Sequence, residues 1–243
     1  MLRARLLISF AASTCLLLVN QLCLAAAPDE FTVNYDARYR GLRAQATISL
    51  AQQEDGAYLA RSLIAIKLLG ATVTSIDESS LFNWVNERPL PRRYDFIQSG
   101  LGKRQRSISF DWERGLAQAL VNGQLMEVPL INLTLDEMSM YSLIKQAVSE
   151  GEQDIYFDVI DRNQVEQYHY RLVGEEQVES PIGIFSALKV ERVRKNSERE
   201  TQLWFSPAHD MLLIKISHRD PDGDEYEITI KDALLNGIPV TAE

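Results

Sequence analysis

From Phe31 onward the chain alternates. Phe31, Val33, Tyr35, Ala37 and Tyr39 are apolar, the residues between them are polar, and after Gly41 the beat resumes with Leu42, Ala44, Ala46, Ile48 and Leu50. A period of two sends one set of side chains to a core and the other to water, as on half-buried antiparallel strands. The short Arg40-Gly41 junction predicts that these two strands form a hairpin. A turn at Glu54-Asp55-Gly56 leads to a third strand over 57–67, and further strands are expected over 72–85, 92–99 and 104–112. Asn122-Gly123, between Leu116–Val121 and Gln124–Val128, supplies the two positive-φ positions of a type I′ hairpin. Alternation returns over 154–160, 165–173, 184–194, 199–205, 211–219 and 224–231. The separators Asp161-Arg162-Asn163, Gly174, Lys195-Asn196-Ser197 and Asp220-Pro221-Asp222-Gly223 have turn chemistry.

One segment keeps a helical period instead. Over 135–150, Met138, Tyr141, Ile144 and Val148 mark an apolar stripe, Thr134 and Glu137 have capping-box spacing, and Gly151 supplies a stop. The expected fold is therefore mainly β: a single curved antiparallel sheet or partly open barrel, built as a meander, with one central helix at about 135–150. Two small β-domains joined by that helix are the alternative. The chain has no long Gly/Ser/Pro linker, which favours one β-rich domain over 27–243.

The first residues follow other rules. Arg3 and Arg5 precede an apolar run from Leu6 to Val19, then come Asn20-Gln21 and the small residues Ala25-Ala26-Ala27. This pattern reads as a secretory signal, residues 1–26, cut after Ala25 or Ala26, which directs the protein to the periplasm and leaves no transmembrane segment after cleavage. Both cysteines, Cys15 and Cys23, lie inside it. The mature chain would thus lack disulfides, thiolate catalysis and cysteine metal sites. Removing the leader's two arginines leaves 23 basic against 34 acidic side chains, a charge of −11 in place of −9 for the whole chain. Such an acidic protein is no general nucleic-acid binder.

Several landmarks carry a resemblance. Tyr35-Asp36-Ala37-Arg38-Tyr39-Arg40-Gly41 opens the domain. Arg88-Pro89 with Tyr94, the Phe110-Asp111-Trp112 strand end and Ser180-Pro181-Ile182-Gly183-Ile184-Phe185 before Leu188-Lys189-Val190-Glu191-Arg192 follow in order. Leu203-Trp204-Phe205-Ser206-Pro207 and the Asp222-Gly223 hairpin close the series. In order and spacing the chain resembles domain-of-unknown-function family 3108, a group of exported bacterial proteins. The resemblance implies an envelope protein with a mainly antiparallel β-fold, similar in architecture to the curved half-barrels that carry lipoproteins between bacterial membranes. It brings no biochemical activity with it.

Candidate chemistry is sparse. His169, His209 and His218 lack zinc-site spacing, although His209 and His218 have a route to each other across a strand. Asp220, Asp222, Asp224 and Glu225 do not match a calcium loop and read as a charged turn. There is no G-x-S-x-G elbow, S-x-x-K, P-loop or dinucleotide fingerprint, so a hydrolase would depend on an unmarked serine or carboxylate pair. No metal or cofactor is expected. Two features remain. The aromatics Tyr35, Tyr39, Phe82, Trp84, Tyr94, Phe110, Trp112 and Trp204 lie mostly on strands, where they either pack a filled core against the helix or line an apolar groove for a lipid or lipoprotein. In segment 88–106, Arg88, Arg92, Arg93, Arg104 and Arg106, with Lys103, form a local positive region. It suits an anionic group or an acidic envelope partner, or simply protects a strand edge. The leading functional expectation is non-catalytic binding of an apolar or amphipathic ligand. The alternative is an assembly factor that docks an envelope partner through a strand edge or through 88–106.

Overall fold

A computed structural model describes residues 27–242, apart from 132, 196, 197 and 224. The leader, residues 1–26, lies outside the described residues. Eight strands form the first meander: β1 (Phe31–Tyr39), β2 (Leu42–Gln52), β3 (Tyr58–Leu68), β4 (Ala71–Val85), β5 (Arg88–Gly100), β6 (Arg104–Asp111), β7 (Leu116–Val121) and β8 (Gln124–Pro129). The short β9 (Thr134–Leu135) and helix α1 (Ser139–Ser149) follow. A second meander runs through β10 (Asp154–Asp161), β11 (Gln164–Ser180), β12 (Gly183–Val193), β13 (Glu200–Ser206), β14 (Leu212–Arg219), β15 (Glu225–Leu235) and the short β16 (Ile238–Pro239).

The strands make one sheet. β1 pairs with β2 on one side and with β15 on the other, from Phe31 opposite Leu235 to Tyr39 opposite Tyr226, so the two meanders grow outward from a shared seam. β8 and β9 end the two flanks. The sheet curls until those flanks meet: β8 reaches β11, β9 lies against β5, and α1 packs against β5 and β10. The result is an incomplete, mainly antiparallel barrel with one helix, as the alternation implies. Among the described residues only β9 and β10 pair in parallel.

Local chemistry explains the turns. Arg40 and Gly41 have φ of 47° and 76°, and Asn122 and Gly123 have 50° and 85°, the left-handed pair a type I′ hairpin requires. Gly174 differs from its expected role. It does not break the strand but sits in a register shift between Leu172 and Gly174, where β11 continues as a bulged strand to Ser180. The helix also starts later than its stripe suggests. Thr134 is committed to β9 and its hydroxyl donates to the Ile131 carbonyl at 2.6 Å, so it caps nothing. Asp136 takes that role, accepting the amides of Met138 at 2.9 Å and Ser139 at 2.8 Å. At the other end Gly151 (φ 81°) closes the helix, its amide donating to the Val148 carbonyl.

Two clusters of buried side chains result. The larger joins β1, β2, α1 and β10–β15 around Val33, Phe157, Val190, Leu203 and Ile214. The smaller joins β3–β8 to the region before α1 through Tyr58, Phe82, Tyr94, Ile108, Met138 and Ile160.

Candidate functional site

Between these clusters the interior is not filled. A cavity of about 1120 Å³ runs inside the curl, from Ala27, Pro28 and the C-terminal half of α1 at one end to the turns around Arg40 and Leu101 at the other. It is slightly larger than common small-molecule pockets of roughly 300–1,000 Å³. Its origin is side-chain volume. The inward positions of β1–β3 that border it include Ala37, Ala44, Ala46, Ala60 and Ser62, too short to reach the opposite wall. Ile48, Ile64, Ile66, Ile76, Phe96 and Ile228 complete an apolar lining. The helix contributes one face: Met138, Tyr141, Ser142, Lys145 and Ser149, at helical spacing, border the cavity, while Ile144 and Val148 are buried in the larger core. Lys145 is tied to Asp210 in the β13–β14 turn, which fixes this face across the cavity end.

Two polar groups interrupt the lining. On one wall Arg106 donates from Nη2 to Glu137 Oε2 at 2.5 Å and to Tyr94 Oη at 2.8 Å, and Tyr94 donates to Glu78 Oε1 at 2.6 Å. Asp161 adds a longer contact to Arg106 at 3.8 Å. Burial pushes the Glu78 carboxyl up to about 7, helped by the nearby Glu137 and opposed by the Tyr94 hydrogen bond and Arg106. Asp136, fully buried behind this group, is likewise raised to about 6 by burial, opposed by hydrogen bonds from Ser139, Ser80 and Met138.

The second group forms a collar at the turn end. Cross-strand register brings Tyr170 beside Arg192, Thr201 beside His218, His218 beside Tyr226, and Tyr226 beside Tyr39, and all of these border the cavity. Arg192 lies over the Tyr168 ring, 3.3 Å from its centroid, and His218 stacks on Tyr226. Arg194 donates to Thr201 Oγ1 at 3.0 Å and to the Arg199 carbonyl at 3.2 Å. Burial, with Arg192 and Arg199 nearby, pulls Arg194 below its ordinary value; burial and Arg194 do the same to His218.

The aromatic residues singled out from the sequence separate. Tyr35, Tyr39 and Trp84 border the cavity. Tyr35 is anchored by its hydroxyl to the Leu213 carbonyl at 2.8 Å, and Trp84 Nε1 is buried with no hydrogen-bond partner among the described residues. Phe82 and Tyr94 are fully buried in the smaller core, so only the Tyr94 hydroxyl network connects them to the cavity wall. Phe110 stacks on Trp112, whose Nε1 donates to the Pro91 carbonyl at 2.6 Å, away from the cavity lining. Trp204 faces the other side of its strand from Thr201, between Lys189 and Lys215, and donates to Glu176 at 3.0 Å.

The basic segment divides in the same way. Arg88 is exposed at the start of β5, Arg92 pairs with Asp55 at 2.7 Å and Arg93 with Asp95 at 2.6 Å. Arg104 borders the cavity, donating to Gln98 and lying over Phe96, while Arg106 is the buried member of the carboxylate network. Neighbours in sequence thus become inward and outward residues, and the segment is not one positive surface. His209 and His218 flank β14 at opposite ends, so they do not converge, and His209 is held by Ser206 and the Thr241 carbonyl. The collar and the small inward residues escaped the sequence reading. Alternation marks Ala37, Ala44 and Ala46 only as apolar, and Arg192, Thr201 and His218 come together through strand pairing alone.

Comparison with known proteins adds the following. The model of the family described as "Protein of unknown function (DUF3108)" matches residues 34–231. No curated protein matches the chain. A solved beta-barrel-like protein of the domain of unknown function DUF1849 from Brucella abortus is similar at a TM-score of 0.58 and 6% identity, over 85% of this chain and 98% of that one. That is a likeness of fold. MucB aligns at a TM-score of 0.35 and 12% identity over 89% of this chain and 56% of its own, and MucB in complex with MucA(peri) at 0.16. Likenesses of that size carry no argument about this chain. Among the described residues no helix is long and apolar enough to cross a membrane.

Proposed function

The chain belongs to the family of proteins of unknown function DUF3108, and we propose that it is a periplasmic envelope protein that binds, without catalysis, an apolar or amphipathic ligand such as a lipid or the lipid part of a lipoprotein. The cavity of about 1120 Å³ inside the curled sheet carries this reading. Its walls are the inward faces of β1–β4 and β13–β15, where aliphatic side chains have no partner across the gap. Burying a hydrocarbon chain there contributes ~0.8 kcal/mol per methylene. A tail of about ten carbons gains on the order of 8 kcal/mol, enough to offset a large part of the association cost of roughly 4–15 kcal/mol. The export-type pattern of the first residues supports the periplasmic setting.

Segment 88–106 supports partner docking less than its composition suggests, because Arg92 and Arg93 are paired with acids and Arg106 is buried.

Native mass spectrometry of protein purified from the periplasm, together with titration of the neutral fluorescent probe N-phenyl-1-naphthylamine, tests the proposal. Saturable one-to-one probe binding, weakened about tenfold or more by Ala46→Trp, is the expected result. Absence of both a mass adduct and probe binding overturns it.

A further inference from the structure

We propose that the ligand taken by this cavity carries an anionic oxygen head, a carboxylate or a phosphate, held at the collar by Arg192 and Arg194. The inference rests on the ligand-binding reading above and specifies which amphiphiles the cavity selects.

Charge accounting leads to it. The protein carries 34 acidic side chains, and several of its outward cations pair with them: Lys189 with Glu176, Lys215 with Glu227, Arg199 with Asp220 and Arg61 with Asp77. Arg106, which points inward, is matched by Glu137. On the cavity wall, where Arg38 and Arg104 are exposed, Arg192 and Arg194 are the exception. Both are half-buried and border the cavity, and among the described residues no carboxylate lies within ion-pair distance of either. A half-buried cation without a counter-charge loses hydration and gains little in return, and an incoming anion recovers that cost.

Geometry agrees with the charge. The two arginines are two residues apart, Arg192 near the end of β12 and Arg194 just beyond it, so with the chain still extended their Cα atoms are about 6–7 Å apart. The Arg192 guanidinium lies over the Tyr168 ring, and Arg194 is positioned by Thr201 and the Arg199 carbonyl. A guanidinium has five N–H donors, so these contacts leave donors for the two-pronged grip that carboxylates and phosphates accept. His218 adds a third nitrogen base to the collar. One step further inward the same strands turn apolar, His218 giving way to Ile216 and Tyr226 to Ile228, both bordering the cavity. Head and tail of an amphiphile therefore meet matching surfaces in one pass along the strands. The carboxylates that face the cavity do not cancel this field. Glu137 is matched by Arg106, Asp220 by Arg199 and Asp210 by Lys145, Glu150 accepts from Gln146, Glu87 is exposed at the other end of the cavity, and Glu78 accepts from Tyr94 and is favoured in its neutral form by burial.

Displacement of N-phenyl-1-naphthylamine from the delipidated full chain by amphiphiles that share a dodecyl tail tests the inference. Dodecanoate and dodecyl phosphate are expected to displace the probe about tenfold more tightly than dodecanol or dodecyltrimethylammonium. In the Arg192→Gln/Arg194→Gln variant that advantage falls to about twofold or less while dodecanol is unaffected, which also shows that the variant is folded; the Arg192→Lys/Arg194→Lys variant keeps most of it. Equal displacement by dodecanol and dodecanoate in the unaltered protein overturns the inference and leaves lipid binding standing. So does competition by inorganic phosphate as strong as that by dodecyl phosphate, which marks a site for free anions. Failure of the probe itself to bind overturns the earlier reading and this one with it.

Discussion

Around Phe82 the inward positions of β3, β4, β5, β6 and β8 carry Tyr58, Phe82, Tyr94, Ile108 and Val128, whereas farther along β1–β3 they include Ala37, Ala44, Ala46, Ala60 and Ser62 between larger residues such as Ile48 and Ile64. Both stretches follow the same two-residue alternation on the same sheet. In the first, rings stack across strands, as Tyr58 does on Phe82, and Met138 and Ile160 reach over from the opposite flank to cover even the small Ala117 and Ala119. In the second, short side chains face an opposite wall that stays too far away, and the curl remains open as a cavity. Alternation decides which way a side chain points; its volume, and what crosses from the other side, decides whether the space closes.

Five substitutions probe that contrast. Phe82→Ala removes a fully buried ring from the closed half and is expected to cost about 3–5 kcal/mol in urea unfolding followed by circular dichroism. Glu78→Gln acts at the border between the halves. The folded chain holds Glu78 at about 7, against about 4.3 for a free glutamate. The native state therefore binds a proton more tightly than the unfolded one between those values, and stability rises as pH falls from 8 towards 5. Glu78→Gln is expected to flatten that rise and to stabilise the protein at pH 8 by about 2–3 kcal/mol, read from unfolding midpoints across the pH range. The matched pair Ala119→Leu and Ala46→Leu compares the halves directly. The first overpacks a sealed interior and costs about 1–3 kcal/mol, while the second extends into the cavity and changes stability by about 1 kcal/mol or less, but reduces probe binding. Equal costs for the two would erase the distinction. Smallest is Arg93→Gln, an exposed pair on the outer surface, with a change within about 0.5 kcal/mol.

Much of this was legible beforehand, for physical reasons. Strands with one wet face announce themselves, so the long strands were readable from Phe31 to Lys231. The two-residue β9 and β16 are too short to have a period. Gly174 carries turn chemistry, but the long pairing of β11 with β12 absorbs it as a bulge. Thr134 and Glu137 have the right spacing for a cap, yet β9 claims Thr134 and Asp136 lies closer to the helix amides. The cavity was less legible because it depends on absent volume. Aromatic residues stand out in the sequence, yet Trp204 is buried on the face away from the cavity beneath Lys189 and Lys215, and Trp112 is bonded to Pro91. The decisive residues were alanines, and the collar joins positions from 39 to 226 that only pairing brings together.

The seam between β1 and β15 has a consequence for how the molecule is made. Phe31 and Leu235 are neighbours in the sheet although nearly the whole chain lies between them, and such distant pairing is slow to nucleate because the intervening loop must close first. β1 can pair with β2 as soon as both have been made, but its other edge has no partner until β15, near the end of the chain, arrives. Joining of the two meanders along that seam is thus a late event, and until then the lining of the cavity stays open to solvent.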